Sequence, residues 1–462
     1  MKTSRRNFLK ASGLAASGLA ASHAVPAAGY ATEGPINIIY IHSHDSGRYL
    51  APYGYAVPTP NLLRLARSGV LFRNMYCAGP TCSPSRAALL TGQTPHQSGM
   101  LGLAHRGWKL NDYGQHLIHT LGKHGYTSVL AGIQHVAKDP KAIGYDQILP
   151  PPSTYAVDVA PHAAAFLRSK PREPFFLDCG FHETHREFPA PTDNADYILP
   201  PAPMPDNATT RFDMAGFHEC ARVMDNGVGL VLEALEQTGL AANTLVISTT
   251  DHGISFPHMK CDLRDTGMGV SFIMRGPGAF SKAGVCDAML SHVDVFPTLC
   301  EYLKIDKPEW LTGRSFLPIV EGHQEEINDA VFAEVTYHAA YEPKRAVRTR
   351  RYKYIKRFDG RTQDVLPNTD DSASKSYWLR EGWKGMPLVQ EEELFDVVFD
   401  PNEQNNLAAD PAHAKVLDEM RGELHEHMVA TADPLLKGPV PLIEGGVTTP
   451  VDADSPGAER AK

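Results

Sequence analysis

The six residues Ile36 to Ile41 are apolar at every position except Asn37, and the chain then turns abruptly polar with His42-Ser43-His44-Asp45. A short run without polar alternation suits a strand covered on both faces, which commits the chain to a layered arrangement. Similar runs predict strands at Thr127 to Leu130, Phe175 to Leu177, Thr244 to Ser248 and Val270 to Met274. Helical patterns lie between them at Asn61 to Ser68, Tyr113 to His124, Val159 to Ser169, Phe212 to Thr238 and Val293 to Leu303. Strands alternating with helices predict an α/β domain around a largely parallel sheet. Such sheets bind ligands beyond the carboxyl ends of their strands. His42-Ser43-His44-Asp45 and Asp251-His252-Gly253 are the two candidate segments there.

The pattern changes from about Val331. Short strands are predicted at Arg345 to Arg350, Arg351 to Lys356 and Glu391 to Val398, with a helix at Ala412 to Ala430. This predicts a catalytic-sized α/β domain over residues 33–335 and a smaller α+β domain over 336–436. Residues 437–462 carry Pro, Gly and acids without periodicity, and composition predicts a poorly ordered tail. A net charge of -9 argues against a generally basic nucleic-acid binder, so any anionic ligand needs a local cationic pocket. Seven cysteines without CxxC spacing give no zinc knuckle and leave one thiol over from any full pairing.

Arg5 and Arg6 precede a weakly apolar stretch rich in Ala, Gly and Ser, and Ser22-His23-Ala24 supplies small residues for a signal peptidase. This is the pattern of a twin-arginine export signal over residues 1–24. The stretch is too short and too rich in Gly and Ser for a membrane-spanning helix, so no stable membrane anchor is expected. Its removal deletes Lys2, Arg5, Arg6 and Lys10 and no acid, and the formal charge of -9 falls by four to -13. The expectations are passage through the Tat translocon and a periplasmic or secreted location.

Gly79-Pro80-Thr81-Cys82-Ser83-Pro84-Ser85-Arg86 leads into Ala87-Ala88-Leu89-Leu90-Thr91-Gly92. A small nucleophile precedes a rigidifying proline, and an arginine follows one turn later at a helix start. Free backbone N–H groups and a bidentate guanidinium suit an oxyanion. A buried Cys in a loop before a core helix is the plain structural alternative for Cys82.

The complete string resembles the signature of type I sulfatases. Asn74-Met75-Tyr76, His96 to Leu103, Phe181-His182-Glu183-Thr184-His185-Arg186 and Met224 to Leu232 are similar to segments of heparan N-sulfatases, the N-sulfoglucosamine sulfohydrolases. So are Glu393-Leu394-Phe395-Asp396, Asp400-Pro401-Asn402-Glu403 and Asn405-Asn406-Leu407. The resemblance implies an alkaline-phosphatase-like fold with a large central mixed sheet. It also implies oxidation of Cys82 to formylglycine by a maturation enzyme, with the hydrated aldehyde as nucleophile.

The same resemblance implies a divalent cation at the positions of His44, Asp45, Asp251 and His252; Asp45 and Asp251 match the family pattern, His252 is a variation of it, and His44 departs from it and either binds the metal or sits beside it. Calcium is usual in the family, but two imidazoles introduce manganese as an alternative. Arg86 is expected to steady the nucleophile, and His185, with Lys260, to protonate the departing sugar oxygen or nitrogen. His135 is expected to take the second hydroxyl proton and release sulfate. The family's Gly-Lys-x-His segment is Gly132-Ile133-Gln134-His135 here, so its sulfate-binding lysine is lost and Gln134 offers an uncharged donor. His105 and Arg106 are further substrate-binding candidates, with Trp108, Arg48 and Tyr49 as possible sugar-subsite residues.

These residues imply hydrolysis of sulfate esters or sulfamates on a sulfated saccharide. A phosphonate monoester or phosphodiester hydrolase and a catalytically silent glycan-binding homologue remain open. Arg5→Lys with Arg6→Lys is expected to abolish export. Cell fractionation checks this: the variant should be retained in the cytoplasm, and unchanged export would contradict the assignment.

Overall fold

The computed structural model describes residues 34–458, so the export segment lies outside the described residues. The first strands are β1 Asn37–Ser43, β2 Val70–Phe72, β3 Met75–Tyr76, β4 Thr127–Gly132, β5 Gln147–Ile148 and β6 Phe175–Gly180. They are followed by β7 Thr244–Thr250, β8 Phe272–Arg275, β9 Gly284–Cys286 and β10 Leu290–Ser291. The smaller sheet comprises β11 Ala330–Tyr337, β12 Tyr341–Thr349, β13 Tyr352–Arg357 and β14 Glu392–Asp396.

Eight strands form the main sheet in the order β5-β4-β6-β1-β7-β8-β2-β9. Its β5, β4, β6, β1 and β7 pairings are parallel, while β8 is antiparallel to β7 and β2. The sheet is therefore mixed, as the family resemblance implied. Ile38 and Tyr40 join the core on one face; Ile39 and Ile41 join the core on the other. That alternation explains why almost every position of the strand is apolar. Full burial of each large aliphatic side chain contributes about 1.5–3 kcal/mol before entropy is counted.

The register sets the site. His42 stands opposite Gly180 of β6 and Thr249 of β7, and Gly132 of β4 also stands opposite Gly180. Four strand ends thus finish level. A Cβ on Gly180 would fall 1.9 Å from the Ile133 carbonyl oxygen and 2.4 Å from His42 Cε1. Glycine lets the β4 and β6 ends approach that closely.

The small sheet is antiparallel throughout and is covered by the helix Ala414–Ala430, whose Leu417, Met420, Leu424 and Met428 share a core with Val347, Tyr354 and Leu394. It begins at Ala330, ahead of the boundary expected at 335/336. The expected helix Tyr113 to His124 is split: Tyr113–Gln115 is a 3-10 turn, and His116 caps the α-helix Leu117–Lys123.

The tail also departs from its compositional reading. Within residues 437–458, Val447 N donates to Arg106 O, Thr449 N to Ala339 O, and Arg106 Nη2 to Pro456 O. Specific backbone hydrogen bonds anchor a segment that has no periodic apolar face. All seven cysteines are buried and free.

His116 has no exposed surface, and its Nδ1 accepts from Ile118 N at 3.3 Å. Burial lowers its pKa to about 4. The neutral form is favoured in the fold, so the unfolded chain takes up the proton first. This contribution is intact above about pH 6.5 and is lost as pH falls toward 4. In His116→Asn, a cap without a titrating group, the fall in Tm between pH 7 and 4.5 should be shallower than in the parent chain.

Candidate active site

Cys82 opens the helix Cys82–Thr91 after the extended Thr81, so the thiol sits at a helix amino terminus. The motif's other residues hold that start in place. Ser83 Oγ accepts from Ala104 N at 3.0 Å, and Ser85 Oγ donates to Asp251 O at 2.5 Å. Cys261 N donates to Pro80 O at 2.9 Å, docking the Lys260 loop beside Cys82. Cys82 Sγ is 3.3 Å from His252 Nε2 and 4.0 Å from Asp45 Oδ1. Burial pushes the thiol well above its ordinary pKa, so the unmodified side chain is a protonated, poor nucleophile.

Asp45 has a left-handed backbone, φ 49°. The conformation is fixed by Asp45 N donating to Asp251 Oδ1 at 2.8 Å and by Thr184 Oγ1 donating to Asp45 O at 3.0 Å. Such strain requires surrounding contacts to hold it. The adjoining loops are also paired: His44 N donates to Glu183 O, and Thr184 N to His44 O. Candidate ligand atoms of His44, Asp45, Cys82 and Asp251 all lie within 4.8 Å of one another, and all four residues are buried.

Arg86 Nη2 donates to Asp251 Oδ2 at 2.9 Å and to Ser43 O at 2.8 Å, while Nη1 meets His42 Nδ1. His42 Nε2 in turn meets Asp178 Oδ1 at 2.7 Å, and Tyr145 OH donates to Asp178 Oδ2 at 2.5 Å. Lys260 Nζ bridges Asp45 Oδ2 at 2.8 Å and Asp370 Oδ2 at 2.7 Å, with His185 Nε2 at 3.3 Å. Burial opposes the Lys260 charge, but Asp370 and Asp45 outweigh it and hold its pKa well above the usual value.

His185 Nδ1 donates to Arg186 O at 2.6 Å when it carries the proton, leaving Nε2 toward Lys260 and the mouth. Arg186 grips Asp213 at 2.6 and 2.8 Å and donates to Ser255 O, fixing the His185 loop. His135 lies at the other wall, with its Nε2 3.0 Å from His105 Nδ1 and the two rings stacked. Burial, followed by the neighbouring His105, lowers the His135 pKa well below normal.

The structure therefore brings together Cys82, Arg86, His135, His185, Lys260, His44, Asp45, Asp251 and His252, with His105 at the rim. Two candidates do not face this cluster as ligand donors. Gln134 spends its side chain within its own loop, donating to Ala137 O and accepting from Val136 N and Ala137 N. Arg106 donates to Ala339 O in the β11–β12 turn and to Thr449 Oγ1 and Pro456 O of the carboxyl-terminal segment. His42 lies in a segment the sequence marks, but Asp178, within an apolar strand, and Asp370, in a loop without a motif, carry no spacing signal.

The donors fit a divalent cation. His44 Nε2 is buried without a hydrogen-bond partner, its Nδ1 lies 3.1 Å from Asp251 Oδ2 without hydrogen-bond geometry, and burial, then Arg86, keeps the ring neutral with its pKa well below normal. His252 can donate Nδ1–H to Gly253 O at 3.0 Å, leaving an unprotonated Nε2 3.4 Å from Asp45 Oδ1, two lone-pair atoms side by side that a cation would reconcile. Arg86 and Lys260 face three carboxylates, Asp45, Asp251 and Asp370, an excess of one negative charge. A divalent cation would turn that excess into one positive charge, suited to an anion. Carboxylates with imidazole suit manganese, while water and substrate oxygens could complete a calcium shell.

A family model described as Sulfatase matches residues 36–305, and one described as N-sulphoglucosamine sulphohydrolase, C-terminal, matches residues 259–373. Human N-sulphoglucosamine sulphohydrolase is 28% identical, with 89% of this chain and 93% of that protein covered. An ulvan-active sulfatase of Formosa agariphila is 29% identical, with 91% and 86% covered. A solved structure described as a 2-O GAG sulfatase has a TM-score of 0.69 at 23% identity, covering 92% of this chain and 99% of that one.

Adding calcium or manganese to chelator-treated protein should raise Tm. A cation binding the native state alone contributes about 2.7 kcal/mol at one hundred times its Kd. Asp45→Asn and Asp251→Asn should lose the response, whereas His44→Ala should retain the calcium response and lose any preference for manganese. Thermal melts over a metal titration check the assignment; an unchanged response in both Asp variants would contradict it.

Proposed function

Because the chain belongs to the sulfatase family, we propose that this sulfuric ester hydrolase acts on sulfated glycosaminoglycan or algal polysaccharide fragments, cleaving a sulfate ester or sulfamate. The observation that carries this reading is the convergence of Cys82, two buried carboxylates and two fixed cations at four level strand ends. For an ester, the net reaction adds water across the S–O bond and yields the sugar alcohol, inorganic sulfate and a proton. For a sulfamate, the corresponding bond is S–N and the sugar retains an amine.

Cys82 is the residue converted to formylglycine, whose hydrated form supplies the nucleophilic oxygen. His44, Asp45, Asp251 and His252 would hold a divalent cation, which would supply positive charge to sulfate oxygens and favour ionisation of a neighbouring hydroxyl. Arg86 fixes Asp251 and the amino terminus of the Cys82 helix. Lys260 presents its charge beside His185, and His185 Nε2 is the atom that passes a proton to the leaving oxygen or nitrogen. A ring nitrogen of His135 lies within 4.8 Å of Cys82 Sγ and accepts the proton released from the modified side chain.

The export pattern at Arg5 and Arg6 supports work in the periplasm or outside the cell. Maturation of Cys82 would precede transport of the folded chain. The test is sulfate release from heparin disaccharides and ulvan oligosaccharides, beside hydrolysis of a phosphodiester. Sulfate release is expected, with His185→Asn slowing it by about 10²–10⁴-fold. Preferential phosphodiester hydrolysis would select the related hydrolase reading; glycan binding with neither activity would select the silent homologue.

A further inference from the structure

A second cavity, about 950 Å³, is lined by Arg48, Tyr55, Tyr76, Tyr197, Arg348 and Asn402 among others. None of the proposed catalytic or metal-ligating residues lines it. Its volume is ample for a short saccharide segment. Tyr55 and Tyr197 stand at the wall 43% and 86% exposed, offering aromatic faces to the apolar faces of sugar rings.

The charges in this wall are unequally satisfied. Arg348 donates to Asp265 at 3.0 and 3.3 Å, and Lys353 claims the same carboxylate at 2.5 Å. Asp193, the other acid of the wall, is paired with Arg222 at 2.6 Å. Among the described residues Arg48 makes no ion pair within 4 Å; burial opposes its charge, but Tyr76 and Asp265 lie near enough to raise its pKa, so it shares Asp265 with Arg348 and Lys353. Its guanidinium lies 4.8 Å from the Tyr76 ring centroid, and its shielded Nε and Nη2 have no hydrogen-bond acceptor. The packing of Arg48 against Gly269 is close enough that a Cβ there would fall 2.3 Å from Nη2. Three cations, Arg48, Arg348 and Lys353, share two carboxylates, Asp265 and Glu403, and the positive charge in excess favours an anionic ligand.

We propose that this cavity is a second saccharide-binding site, in which Arg48 recognises a sulfate or carboxylate group and Tyr55 and Tyr197 contact the sugar rings. It holds a distant part of a polymeric substrate while another part enters the catalytic cluster. This inference rests on the reading that the substrate is a sulfated saccharide.

The test is calorimetric titration of metal-loaded Cys82→Ala protein with a heparin hexasaccharide and with an unsulfated hexagalacturonate. Two binding events are expected with heparin. Arg48→Gln and, independently, Tyr55→Ala with Tyr197→Ala should weaken one of them at least tenfold and leave the other unchanged. The exposed Tyr197 keeps the test independent of any folding defect at Arg48. Binding of both ligands at the second site would show that carboxylate suffices; binding of heparin alone would assign sulfate.

In protein retaining Cys82, Tyr55→Ala with Tyr197→Ala should leave turnover of a sulfated monosaccharide within twofold while raising KM for the polymer. A single binding event, or variants that bind as the parent does, would overturn the second site. Two events without turnover of any sulfated saccharide would preserve the site and defeat the functional reading. Turnover with one event independent of Arg48 would do the reverse.

Discussion

Two carboxylates at the ends of adjacent parallel strands, Asp45 on the β1 loop and Asp251 on the β7 loop, create the electrostatic problem around which this site is organised. They are almost fully buried, and buried charge is costly unless it meets opposite charge and hydrogen-bond donors. Arg86 meets Asp251, and Lys260 meets Asp45. The helix carrying Arg86 begins at Cys82, so the same packing that neutralises Asp251 delivers the sulfur to the site. The fold therefore couples the position of Cys82 to a charge requirement.

The smaller domain enters this electrostatic arrangement directly. Asp370 reaches Lys260 from outside the main sheet, giving one ammonium group two carboxylate partners. Its neighbour Asp371 accepts from Ser455, while Arg106 holds Thr449 and Pro456. The carboxyl-terminal segment thus ties the Asp370 loop to the loop bearing His105. Packing between distant chain regions shapes both walls of the site, independently of how the scissile group is held.

Much of the main fold was legible because its determinants are local. The apolar run of β1, the long helical pattern after Phe212 and the Cys82-to-Arg86 string each announce their structure through spacing or composition. Tertiary partners decide the remaining roles. Gln134 looks like a substrate donor in sequence, yet the tight turn beside it consumes its amide. Arg106 looks available, but it clamps a segment more than three hundred residues away. Asp370 carries no motif, and residues 437–458 are ordered through backbone hydrogen bonds that composition does not reveal.

The central chemical claim is that Cys82, poor as a buried thiol, serves as the precursor of an oxygen nucleophile. The most direct measurement is the mass of the tryptic peptide Asn74 to Arg86 from protein made in its native host. The account predicts loss of one sulfur and two hydrogens and gain of one oxygen at position 82, with Cys77 unchanged. Intact cysteine at position 82 in every copy of an active preparation would contradict it.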